Sequence, residues 1–239
     1  MGKIENLKNN WTNFGFSFLR TAELSCKEMM HFSNESDRIR RVFDYYIPTI
    51  FNLKHGIEVF LKCFVVILQE KELLEKDHDQ MKIFEKLLKL VKDKEVKKRI
   101  EEVAENNKQR LDWSAAKKRV ESIDDKIMAL DTLVRRYYNC TFLEDKINNN
   151  FSIIDSKNTA FRYPQNNLQM ELDYSKILCT INSGDIEKLH GDILELEKRL
   201  VDLWQIFQAK FEINKYFNNT NPGYKWLKIG SIDDIKAGS

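Results

Sequence analysis

Three ionisable residues, His55, Glu58 and Lys62, stand at i, i+3 and i+7 inside IPTIFNLKHGIEVFLKCFVVIL, residues 47–68, the most apolar stretch of the chain. At about 100° per residue they share one stripe of a helix. A carboxylate beside an imidazole can hold it in one tautomer for proton transfer, and a lysine one turn on can stabilise a phosphate or an oxyanion. The same spacing also suits structure. Glu58 and Lys62 form an i,i+4 pair in the favourable order, and no nucleophile or metal-ligand spacing accompanies them. We therefore expect an electrostatic network before an active site. Charges carried into a core are costly unless paired, so counter-charges are expected close by, with Arg162 and His78 as the candidates.

The remaining polar residues carry weaker signals. His78 lies between Asp77 and Asp79, which looks metal-like. Neighbours at a helix start diverge, however, so capping is the better expectation. Arg162 in the run Phe161-Arg162-Tyr163-Pro164 can present a guanidinium to a phosphate or to Glu58. His190 sits beside an apolar seam and reads as a half-buried helix residue. The basic clusters Lys97-Lys98-Arg99, Lys117-Lys118-Arg119 and Arg135-Arg136, with Tyr137 and Tyr138 nearby, are interleaved with glutamates. They read as a solvated mixed-charge face more than a nucleic-acid surface. Cys26, Cys63, Cys140 and Cys179 form no C-x-x-C pair and match no zinc spacing, so reduced core thiols in a cytoplasmic protein are expected. No metal site or cofactor is predicted. Walker, dinucleotide-binding, zincin, EF-hand and nucleophile-elbow motifs are all missing.

The elements that must position these residues are helical. Only 3 prolines and 8 glycines punctuate 239 residues, of which 42% are hydrophobic and 32% charged. That composition predicts long helices with solvated outer faces, and the net charge of +2 gives no global reason to bind nucleic acid or anionic membrane. Lys54, His55, Glu58 and Lys62 interrupt the apolar run, which argues against a membrane span. The N-terminus has neither a signal-peptide core nor the myristoylation pattern.

In chain order, residues 3–32 predict a helix with a seam of Ile4, Leu7, Trp11, Phe14 and Phe18, and an adjacent stripe of Ala22, Cys26 and Met29. Asn34 or Ser36 is expected to cap the next helix, with a kink or restart near Pro48. Asp77-His78-Asp79 opens a helix burying Met81, Phe84, Leu87, Leu88 and Val91. Residues 115–147 predict another, burying Val120, Ile123, Ile127, Leu130, Val134 and Tyr138. Residues 151–174 lose helical period and alternate around Gln165-Asn166-Asn167, which predicts a small β-hairpin. Ser183 or Asp185 caps a last helix with Ile186, Leu189, Ile193, Leu196, Leu200, Leu203 and Phe207 on its seam. The expected fold is all-α: five or six long helices in one domain over residues 1–217, with the hairpin as an insert and 218–239 as an irregular tail.

Asn52-Leu53-Lys54-His55-Gly56-Ile57-Glu58-Val59-Phe60-Leu61-Lys62, then Asp77-His78-Asp79, then Phe161-Arg162-Tyr163-Pro164 together resemble bacterial HEPN-like helical proteins. Those carry H-x-x-E-x-x-L-K on a second long helix, a G-H-D-L-like helix opening and an F-R-Y-P element, so the resemblance covers roughly residues 36–90 and 158–210. It implies a helical bundle, usually a homodimer or part of a complex, in a superfamily rich in RNA-cleaving toxins and antiviral defence components, with other members acting as non-catalytic nucleotide-binding or interaction modules. The nuclease branch places an Arg, then four to six intervening residues, then a His near the start of the last core helix. None of His31, His55, His78 or His190 follows an Arg at that distance. The expectation is thus a non-catalytic binding or scaffold protein in a bacterial or phage-related defence or toxin–antitoxin setting, compatible with a nucleotide or RNA ligand. The alternatives are a nuclease with a non-standard site around His55, Glu58 and Lys62, and a cytosolic assembly protein whose seams at Trp11 and Leu196 bind a partner helix.

Overall fold

A computed structural model describes residues 3–69, 79–94, 98, 123–138 and 174–218. Its helices are α1 (Lys3–Met30), α2 (Glu35–Gln69), α3 (Gln80–Lys92), α4 (Ile123–Tyr138), α5 (Tyr174–Thr180) and α6 (Ser183–Asn218). No strand occurs among the described residues. The expected hairpin over 151–173 and the tail over 219–239 lie outside them, and Tyr174 opens α5.

The turn between α1 and α2 is built by side chains that satisfy orphan helix-end groups. Asn34 is the N-cap: its Oδ1 accepts from Asp37 N at 2.9 Å, and Asp37 Oδ2 in return accepts from Ser33 N at 3.2 Å. Arg41 donates to the Glu28 carbonyl in the last turn of α1 at 3.1 Å, while pairing with Asp37 at 3.2 Å. The same device starts α6. Asn182, not Ser183 or Asp185, is the cap: its Oδ1 accepts from Asp185 N at 3.1 Å, and Asp185 Oδ2 accepts from Asn182 N at 2.9 Å. Asp79 caps α3, accepting from Met81 N at 3.0 Å and Lys82 N at 3.2 Å.

The helix does not restart near Pro48, since α2 is one helix from Glu35 to Gln69 with Pro48 inside it. Proline removes the hydrogen bond to the carbonyl four residues earlier. Here that carbonyl belongs to Asp44, and both Asp44 and Pro48 are on the exposed side of the helix, where water can take the bond. The neighbouring carbonyls are held by side chains: Thr49 Oγ1 donates to Tyr45 O at 2.7 Å, and Asn52 Nδ2 to Pro48 O at 2.8 Å.

The first half of the α1 seam is displaced by one residue from the expected one, while the expected stripe of Ala22, Cys26 and Met29 is buried. The buried positions are Thr12, Gly15, Leu19, Ala22, Cys26 and Met29, whereas Trp11 and Phe18 are half-buried and Phe14 is 62% exposed. Ile4 and Leu7 lie outside the described side chains. The cause is close approach of α1 to α2. A Cβ on Gly15 would sit 2.7 Å from Phe60 ring atoms, and one on Gly56 2.9 Å from Leu19. Small residues make that contact line, so the aromatic stripe beside it is turned outwards.

α2 is the hub, packing against every other described helix. Its residues Ile50, Leu53, Ile57, Phe60, Leu61, Phe64, Val65 and Ile67 are fully buried. The first and last seams meet inside the chain. Trp204 Nε1 on α6 donates to Thr12 Oγ1 on α1 at 3.1 Å, and Cys63 Sγ on α2 lies 3.6 Å from the same hydroxyl. Phe16 stands edge-on to both Phe60 and Trp204, with ring centroids 5.0 and 6.3 Å away. On the far side of α6, Lys126 of α4 pairs with Asp202 at 2.7 Å. Tyr137, not the expected Tyr138, is the core aromatic of α4; its hydroxyl donates to Asp192 at 2.8 Å, and Arg136 pairs with that carboxylate at 3.2 Å. Burial and the adjacent Asp192 charge hold the Tyr137 phenol well above its usual range, so it stays a donor.

Candidate functional site

Inside α2 the polar stripe is carried into the core. Glu58 is 3% and Lys62 9% exposed, and Lys62 Nζ meets Glu58 Oε1 at 2.6 Å. His55 Nδ1 lies 3.7 Å from Glu58 Oε2, too far for a hydrogen bond and close enough to feel its charge. Glu58 thus links the two other members, and the i,i+3 and i,i+4 geometry of the sequence is realised in three dimensions.

His55 is the most open of the three, with 31% of its side chain exposed. Its ring is stacked on Phe51 at 5.7 Å with 10° between planes, and Phe18 of α1 meets it at right angles at 4.4 Å. Phe14 continues this row 6.1 Å from Phe18. The imidazole is therefore a packing piece of the α1–α2 seam as well as an ionisable group.

Two further polar residues, Lys54 and Gln80, are buried where α3 meets α2. Lys54 is fully buried, one position before His55, and Gln80 at the start of α3 is fully buried too. Gln80 Nε2 donates to the Lys54 carbonyl, locking α3 onto the middle of α2, while Gln80 Oε1 has no hydrogen-bond partner. Lys54, Glu58 and Lys62 each make additional polar interactions. Lys54 reads in sequence as an interruption of the apolar run. Its one available signal was its place a turn before Glu58 at i,i+4, the same spacing by which Lys62 follows it.

His78 and Arg162 lie outside the described residues. His190 is half-buried on α6, as expected, and its Nε2 is buried without a hydrogen-bond partner. Among the described residues no three His, Cys, Asp or Glu side chains converge as metal ligands. Cys26 donates to the Ile186 carbonyl at 3.6 Å, and burial pushes its thiol up to about 12, far from reactive thiolate. Arg135 pairs with Asp131 at 2.8 Å and Arg136 with Asp192, so this basic cluster is matched by carboxylates. No described helix is long and apolar enough to cross a membrane.

Chemically, this arrangement is a buried carboxylate neutralised on one oxygen by an ammonium, with a half-open imidazole beside the other. No family model matches the chain, and no curated protein or solved structure matches it either.

Proposed function

We propose that this chain is a non-catalytic, HEPN-like binding or scaffold protein, acting as a homodimer or within a larger complex in a bacterial or phage-related defence or toxin–antitoxin setting. The observation that supports it is the 2.6 Å contact between Glu58 and Lys62 in the core. The residues best suited to chemistry pair with each other in the core. The family part of the reading rests on the three motifs in their order along the chain. The test is incubation of the purified chain with labelled RNA and DNA, with and without divalent metal. No cleavage by the chain, with a His55→Ala variant that remains folded, is the expected outcome, together with a mass by light scattering of a dimer or larger.

The second reading is a nuclease with a non-standard site, favoured by one specific observation: His55 is partly open to solvent beside Glu58. Cleavage abolished by His55→Ala and Glu58→Ala but retained by Lys98→Ala would establish the enzyme and overturn the scaffold. A partner helix docking on the seam around Leu196 has less support. Leu189, Ile193, Leu196, Leu200 and Leu203 are already buried within the chain.

A further inference from the structure

We draw no further inference here: the strongest candidate, the half-exposed aromatic row of Phe14, Phe18, His55 and Phe51 along the α1–α2 seam, carries nothing because nothing in the structure shows what covers it.

Discussion

Glu58 and Lys62 meet in the core at 2.6 Å, and each also makes further polar interactions. Removing one partner of a buried pair leaves an uncompensated charge and typically costs about 3–5 kcal/mol, whereas replacing both by apolar groups is often neutral. Glu58→Ala is therefore expected to lower stability by about that amount, and Glu58→Leu with Lys62→Met to recover most of it. Urea denaturation of the two variants checks this. A Glu58→Ala midpoint equal to that of the parent would show that the pair contributes nothing. Glu197 behaves in the opposite sense. Half-buried on α6 and facing the Glu23 carboxylate, it has its pKa raised above the ordinary 4.5, with Arg20 and Lys27 opposing the shift. A carboxyl with a raised folded-state pKa destabilises the fold where it is ionised, and that penalty disappears as pH falls through the folded pKa to below the unfolded one. Glu197→Gln should thus raise the melting temperature at pH 7, with the gain shrinking toward pH 4. A gain independent of pH would exclude ionisation as its cause. Of the polar centre, the Glu58–Lys62 pair could be read from spacing alone. Gln80 could not, because its bond to the Lys54 carbonyl exists only where α3 packs on α2.

At the scale of elements, α1 and α2 are held together by a line of close contact that tolerates no added volume. Gly15→Ala would gain up to about 1 kcal/mol of helix propensity. The new methyl would nevertheless meet the Phe60 ring at 2.7 Å, and Phe60 is fully buried with Phe16 and Phe64 around it. Overpacking typically costs about 1–3 kcal/mol, so a net loss of stability is expected, relieved by Phe60→Leu in the same chain. Thermal melts of the single and double variants decide it, and a stabilised Gly15→Ala would mean that the helices can move apart at no cost. Pro48 gives the complementary case. Because Asp44 and Pro48 lie on the exposed side, the Asp44 carbonyl is open to a bond from water and α2 continues. Pro48→Ala should restore that bond and raise stability by about 1 kcal/mol or more. Unchanged stability in a melt would show that solvent satisfies the Asp44 carbonyl as well as the helix bond does. Helix existence and most apolar faces were legible from period. The first half of the α1 face was not, since Trp11, Phe14 and Phe18 are the larger hydrophobes and the stripe of Thr12, Gly15 and Leu19 is what α2 selects, whereas Ala22, Cys26 and Met29 were legible and are buried.

For the whole molecule, the network of Trp204, Thr12 and Cys63 joins the first, second and last long helices through one hydroxyl. Tyr137, Arg136 and Asp192 join α4 to α6. A hub packed against every other described helix can open only when its neighbours leave. The amides of α2 from Phe60 to Val65 are expected to exchange with solvent only through global unfolding, and those of α3 earlier. Exchange measured by mass spectrometry across a denaturant series checks the order. Equal protection of α2 and α3 would show that the bundle opens as one unit.

Local patterning alone predicts the helical character of the described residues, the central helix over residues 47–68 and the meeting of Glu58 with Lys62. Each of these follows from local period or from a spacing within one helix, where geometry is set by 3.6 residues per turn. Packing between helices sets which stripe of the first half of α1 lies inside, the continuation of α2 as one helix past Pro48, the covering of the Leu196 seam within the same chain, and the burial of Lys54 and Gln80 where α3 meets α2. Those outcomes depend on how closely two helices approach and on which side of a helix meets water. Residues far apart in the chain set both, and no periodicity within a single segment records them.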